Sequence, residues 1–146
     1  MDDPPARIAG HLAEIGVEAA RRGDREWGVR VPSAKRGAVG VLVTVLERTL
    51  ALRAFVLRGP DRRHEDVYRR MLRKNLSTRQ WRFAVDDAGD VYALADAPLD
   101  GLDADVLDGL LGALSALVDE TYESLVRTGF DVPEGTEFRP PPDAPG

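Results

Sequence analysis

The chain has 146 residues, 43% of them hydrophobic and 31% charged, with a formal net charge of −5. Length and composition describe one globular domain with a moderate core, and do not demand a second. The absence of cysteine excludes a disulfide framework, a thiol nucleophile and the usual structural zinc sites.

Charge is unevenly placed. Residues 1–60 carry 10 basic and 7 acidic side chains, residues 61–82 carry 8 and 3, and residues 83–146 carry 2 and 15. A basic middle and an acidic C-terminal third imply complementarity within the domain or between two copies. The alternative is a basic surface that meets nucleic acid or an acidic partner. The N-terminus, Met1-Asp2-Asp3, is acidic where a secretory signal is basic. The longest apolar run, residues 38–46, is too short to span a bilayer. These features predict a cytoplasmic protein with no membrane association.

In chain order, Pro4 and Pro5 suit a helix start, and Ile8, Leu12, Ile15 and Ala19 recur at helical spacing. The predicted first helix spans residues 4–22, with Arg21 and Arg22 in its last turn and Gly23 as its stop. Residues 26–31 alternate, with Trp27, Val29 and Val31 on one side, and form a half-buried strand ending at Pro32. Lys35-Arg36-Gly37 lacks the glycines and Ser/Thr of a phosphate loop. Residues 39–46 are apolar on both faces. Val39, Val41, Val43 and Val45 point one way, while Leu42 and Leu46 point the other and need their own cover. Residues 49–57 form the next strand, antiparallel across a turn at Glu47-Arg48, with Leu50, Leu52, Ala54 and Val56 opposing Ala51, Arg53, Phe55 and Leu57.

Gly59-Pro60-Asp61 breaks that strand. The second helix is predicted over residues 62–76, with Val67, Met71, Leu72 and Leu76 as its apolar stripe. Its basic surface holds Arg62, Arg63, Arg69, Arg70, Arg73 and Lys74, and Asn75 is expected as a left-handed C-cap. Trp81, Phe83 and Val85 share one strand face. Asp86-Asp87-Ala88-Gly89 has hairpin chemistry, with Gly89 at positive φ, and the return strand covers residues 91–95 before Pro98. The Asp86, Asp87 and Asp90 cluster lacks the spacing of a calcium loop. Asp103 is a good N-cap for a last helix running to about residue 127, with Gly129 beyond it. Leu107, Leu111, Leu114, Val118, Thr121 and Leu125 make its apolar face, widened by Leu110 and Leu117 either toward a second contact or because it is the main core helix. The acidic, proline-rich residues 131–146 are expected to form a disordered tail, with Phe138 as its docking residue.

His11 and His64 are isolated, and no nucleotide-binding or triad pattern is present, so no catalytic, metal or cofactor residue is assigned and an enzyme is not expected.

The order helix, three strands, helix, two strands, helix resembles the YbjN family of sensory-transduction regulators. That family is related in fold to the class I, CesT-like type III secretion chaperones. The residues carrying the likeness are Arg53-Ala54-Phe55-Val56-Leu57, Val67 to Asn75 and Trp81 to Asp86. They continue with Gly89-Asp90-Val91-Tyr92, Pro98 to Leu102, Leu110 to Leu114, and Val118-Asp119. The resemblance implies an α+β domain over residues 1–130, α-β-β-β-α-β-β-α, with an antiparallel sheet packed against helices. It also implies a homodimer and a protein-binding role, as chaperone-like holder or regulatory adaptor, with no cofactor. A secretion role does not follow from it. On this reading Leu42, Leu46, Leu110 and Leu117 are the candidate protein contacts. The alternative, a nucleic-acid-associated regulator, would use Arg69, Arg70, Arg73 and Lys74.

Overall fold

The computed structural model describes residues 3–132. The expected tail, with Phe138, lies outside them except for residues 131 and 132. The elements are α1 (Pro4–Ile15), β1 (Glu18–Gly23), β2 (Glu26–Ser33), β3 (Gly37–Val45), β4 (Thr49–Leu57), α2 (His64–Asn75), β5 (Arg82–Val85), β6 (Val91–Pro98) and α3 (Ala104–Gly129). All strands join one six-stranded sheet in the order β1-β2-β3-β4-β6-β5, and every pairing is antiparallel.

The three helices cover one face of this sheet. Strand alternation sends Trp27, Val29 and Val31 of β2, and Val39, Val41, Val43 and Val45 of β3, to that side. They meet Ile8 and Leu12 of α1, Val67 and Met71 of α2, and the buried stripe of α3 in one continuous core. Leu57 joins this core because a register shift between Phe55 and Leu57 turns it inward, where simple alternation predicts the opposite face.

The first helix is shorter than periodicity predicts. Gly16 adopts a left-handed conformation (φ 82°) and its N–H bonds to the Leu12 carbonyl, ending α1 after Ile15. Ala19, Arg21 and Arg22 belong instead to β1, an additional strand exposed along its whole length. The element order therefore gains a fourth strand before α2.

α2 starts two residues later than expected. The N–H groups of Asp61 and Arg62 donate to the Gly129 carbonyl, and Arg63 takes a left-handed conformation (φ 52°). Gly129 is thus the last residue of α3 and not a stop beyond it. A Cβ there would meet Pro60 Cβ at 2.7 Å and Val67 Cγ2 at 3.0 Å, so the two helices approach closely only because it is glycine. Arg58 donates to Asp61 at 2.9 Å, a hydrogen bond that holds the Asp61 carboxyl below the usual carboxylate range.

Leu72 and Leu76, assigned by spacing to the apolar stripe, are 69% and 92% exposed. α3 covers only the Val67 and Met71 side of α2. Asn75 is not a left-handed cap either. Its side chain donates to the Phe83 carbonyl at 3.1 Å and accepts from the Phe83 N–H at 2.7 Å. Val85, expected to share the face of Trp81 and Phe83, is exposed at the end of β5.

Arg36, on the approach to β3, is buried. It donates to the carbonyls of Val56 and Ala38, its guanidinium lies 5.8 Å from the Tyr122 ring centroid, and desolvation lowers its pKa, opposed by the interaction in which it donates to Tyr122. It ties β3, β4 and α3 together.

Candidate functional site

Among the described residues, no helix covers the second face of the sheet. One row of paired residues crosses all six strands on that side: Ala20, Gly28, Leu42, Arg53, Leu94 and Arg82. Apolar and cationic side chains alternate along it, with glycine and alanine toward the β1 edge. A flanking row includes Glu18 with Arg30 from β1 and β2, and Phe55, Tyr92 and Ala84 from β4, β6 and β5.

The small residues shape the surface. Gly28 and Gly40 carry no side chain, and a trough of about 600 Å³ lies over them, bounded by Arg22, Leu42, Phe55 and Tyr92. The Arg22 guanidinium occupies the space above Gly28 where a side chain would stand. Phe55 and Tyr92 pack edge to face, 5.4 Å between centroids, and Arg53 stacks over Tyr92 at 4.1 Å. The stacked wall leaves aromatic and aliphatic surface half-exposed between cations. This surface can bury apolar side chains while pairing with carboxylates. It presents no nucleophile with an adjacent base.

The expected contact residues separate. Leu42 stands in the trough. Leu46 is 46% exposed but belongs to the β3–β4 turn, where its N–H bonds to the Thr49 carbonyl. Leu110 and Leu117 are core, 2% and 5% exposed, and the Trp81 indole donates to the Leu110 carbonyl at 2.9 Å. They leave no surface to a partner, because α3 rolls them onto the β5 end of the sheet. The exposed side of α3 carries Gly109, Gly112 and Ala116 instead.

The basic helix is partly answered within the chain. Arg69 pairs with Glu65 and Lys74 with Glu120, each at 2.7 Å. Arg70 donates to the Ser124 hydroxyl at 3.1 Å, and Arg73 is exposed. One ion pair, Lys74–Glu120, thus joins the basic middle to the acidic third.

The candidate residues that sequence reasoning missed are Arg53, Phe55, Tyr92 and Leu94. Their signal was present in the alternation of β4 and β6, but only the one-sided placement of the helices turns it into a surface. The Asp86 and Asp90 carboxylates serve the backbone. Asp86 accepts from the N–H groups of Ala88 and Asp90, and Asp90 accepts from Gly59 at 2.7 Å.

A profile of the YbjN family, described as "Putative bacterial sensory transduction regulator", matches residues 4–127. The chain belongs to the YbjN family. YbjN-family resemblance therefore extends further toward the N-terminus than the motifs alone indicate. Uncharacterized proteins of Mycobacterium bovis and Mycobacterium tuberculosis are 33% identical over 102 residues, covering 70% of this chain and 56% of theirs. One from Mycobacterium leprae is 30% identical over 122 residues, covering 84% and 66%. The chain spans only about half to two thirds of the length of these relatives.

Among solved structures, the Yersinia pestis type III secretion chaperone SycH, in complex with a stable fragment of YscM2, superposes with a TM-score of 0.54 at 17% identity, over 80% of this chain and 97% of that one. A chain of the heterodimeric ExoU–SpcU complex of the Pseudomonas aeruginosa type III secretion system gives 0.54 at 20%, over 80% and 98%. At such identities the shared property of this YbjN domain and the chaperones is the α+β fold.

Proposed function

We propose that this domain is a non-enzymatic protein-binding module, a chaperone-like holder or regulatory adaptor, working in the cytoplasm. The observation that carries the reading is the uncovered sheet face, with Leu42, Phe55 and Tyr92 half-buried around one trough and Leu94 beside Arg53 on the same face. A partner segment would lay apolar side chains into the trough and set carboxylates against Arg22, Arg30 and Arg53. The fold likeness to chaperones solved with protein partners supports the same direction. The two-copy assembly implied by the family is part of this proposal. No helix among the described residues is long and apolar enough to cross a membrane, which fits the reading.

A photo-crosslinking residue at Leu42 or Leu94 of the full chain, expressed in a bacterium that carries the gene, tests it. Adducts with a discrete protein, absent when the probe replaces Leu76 and lost on adding Phe55→Asp, are the expected result. Adducts equal at all three positions, or adducts only with nucleic acid, would overturn it.

A further inference from the structure

The two edges of the sheet are built differently. At the β5 edge, the Asn75 amide makes to Phe83 the pair of hydrogen bonds that a neighbouring strand would make. That edge is short, Arg82–Val85, and plugged. At the other edge, β1 is six residues long, contains no proline, is exposed throughout, and has no strand beyond it among the described residues. An open edge of this kind is a template for pairing unless its side chains forbid it.

We propose that β1 pairs with β1 of a second copy, antiparallel, about a two-fold axis between the two copies of Ala20. The side chains select this register. A two-fold axis normal to the sheet keeps both open faces on the same side, so it must pass midway between a residue and its own copy. Centred on the two copies of Ala20, it sets Glu18 opposite Arg22 of the second copy, and Arg22 opposite Glu18, with Ala20 opposite Ala20 between them; to make the pair Arg22 swings out from over Gly28 and Glu18 exchanges its contact with Arg30. Axes centred on Glu18, Arg21 or Arg22 would set like charges face to face. An axis centred on Ala19 would leave Glu18 opposite Ala20 and Arg22 opposite Gly16. Edge strands guarded against pairing carry clashing charges, prolines or bulges; β1 is regular from Glu18 to Arg21, shifts register only between Arg21 and Gly23, and carries both signs in complementary positions.

The pairing joins the two six-stranded sheets into one and changes the trough. Glu18, Ala20 and Arg22 bound it at the β1 side, so a second β1 closes that open end and makes the two troughs one two-fold surface. The edge assignment stands on strand chemistry. That the joined trough serves a protein partner rests on the function proposed above.

The chain has no cysteine, so one introduced thiol reports the axis. Residues directly opposite across an antiparallel pair have Cα atoms about 4.5–5.5 Å apart, inside the range of roughly 4.4–6.8 Å that a disulfide accepts. Ala20→Cys in the full chain should oxidise rapidly to a covalent dimer, and far faster than Leu76→Cys, although Leu76 is 92% exposed. In sedimentation equilibrium without the thiol, Glu18→Arg or Arg22→Glu should weaken association roughly tenfold, and the double swap should restore it. A monomeric wild-type chain would overturn the assembly itself. A dimer indifferent to both charge variants, with Ala20→Cys oxidising no faster than the control, would overturn the β1 edge alone. Crosslinking at Leu42 in the otherwise unaltered chain, where Glu18 and Arg22 still line the trough, reports the partner reading separately.

Discussion

Asn75 and Phe83 are paired as if they were neighbours in a sheet. The amide of the last α2 residue both donates to and accepts from the Phe83 backbone, at 3.1 and 2.7 Å. An alanine cannot make either bond. Asn75→Ala is expected to cost about 1–3 kcal/mol in chemical denaturation and to speed exchange of the Phe83 amide hydrogen. Asn75→Asp keeps the acceptor for the N–H and should lose less protection at that amide. Unchanged exchange in the alanine variant would show that the plug does not hold the edge.

Gly129 and Gly112 lie on one helix and predict opposite effects. A Cβ at Gly129 has no room between Pro60 and Val67, whereas one at Gly112 meets nothing within 4 Å. Gly129→Ala should destabilise by about 1–3 kcal/mol through overpacking. Gly112→Ala should stabilise by about 0.5–1 kcal/mol through backbone entropy. Midpoints of urea denaturation check both.

Leu42 and Val43 are adjacent in β3 and face opposite sides of the sheet. Val43 is fully buried, so Val43→Asp should prevent folding at ordinary temperature. Leu42→Asp should leave a cooperatively folded chain that has lost its partner. Circular dichroism melts distinguish the two, and unfolding by Leu42→Asp would make that leucine ordinary core.

Arg36→Leu would leave the Val56 and Ala38 carbonyls without their buried donor. The expected loss is about 2–4 kcal/mol, the cost of orphaned buried polar groups. A neutral result would place water where the guanidinium was.

The Arg58–Asp61 contact has a pH signature. The folded pKa of Asp61 is depressed by Arg58, so its stabilisation is present above the unfolded carboxylate value and is lost as pH falls through the folded one. Asp61→Asn should therefore be less stable than wild type at neutral pH, with the gap closing in acid. A gap constant with pH would show that the charge contributes nothing.

Most of the architecture is written in local signals. The valine alternation of β3, the Asp86–Gly89 turn with Gly89 at φ 86°, and the Asp103 N-cap accepting from the Val106 N–H at 2.9 Å depend on neighbours within a few positions. β1 escaped because Ala19 and Arg22 continue the helical spacing of α1, and the left-handed Gly16 that separates them reads in sequence only as a weak helix residue.

The sequence by itself determined an α+β domain, with strands and helices specified by periods of 2 and 3.6 and by their caps and turns. Only the tertiary structure decided what those elements face. Packing all three helices on one side buried Leu110 and Leu117 and exposed Leu72 and Leu76. It also left Leu42 beside Phe55 and Tyr92 on an open surface. Periodicity assigns a side chain to a face of its own element, and burial depends on whether another element, distant in the chain, comes to cover it.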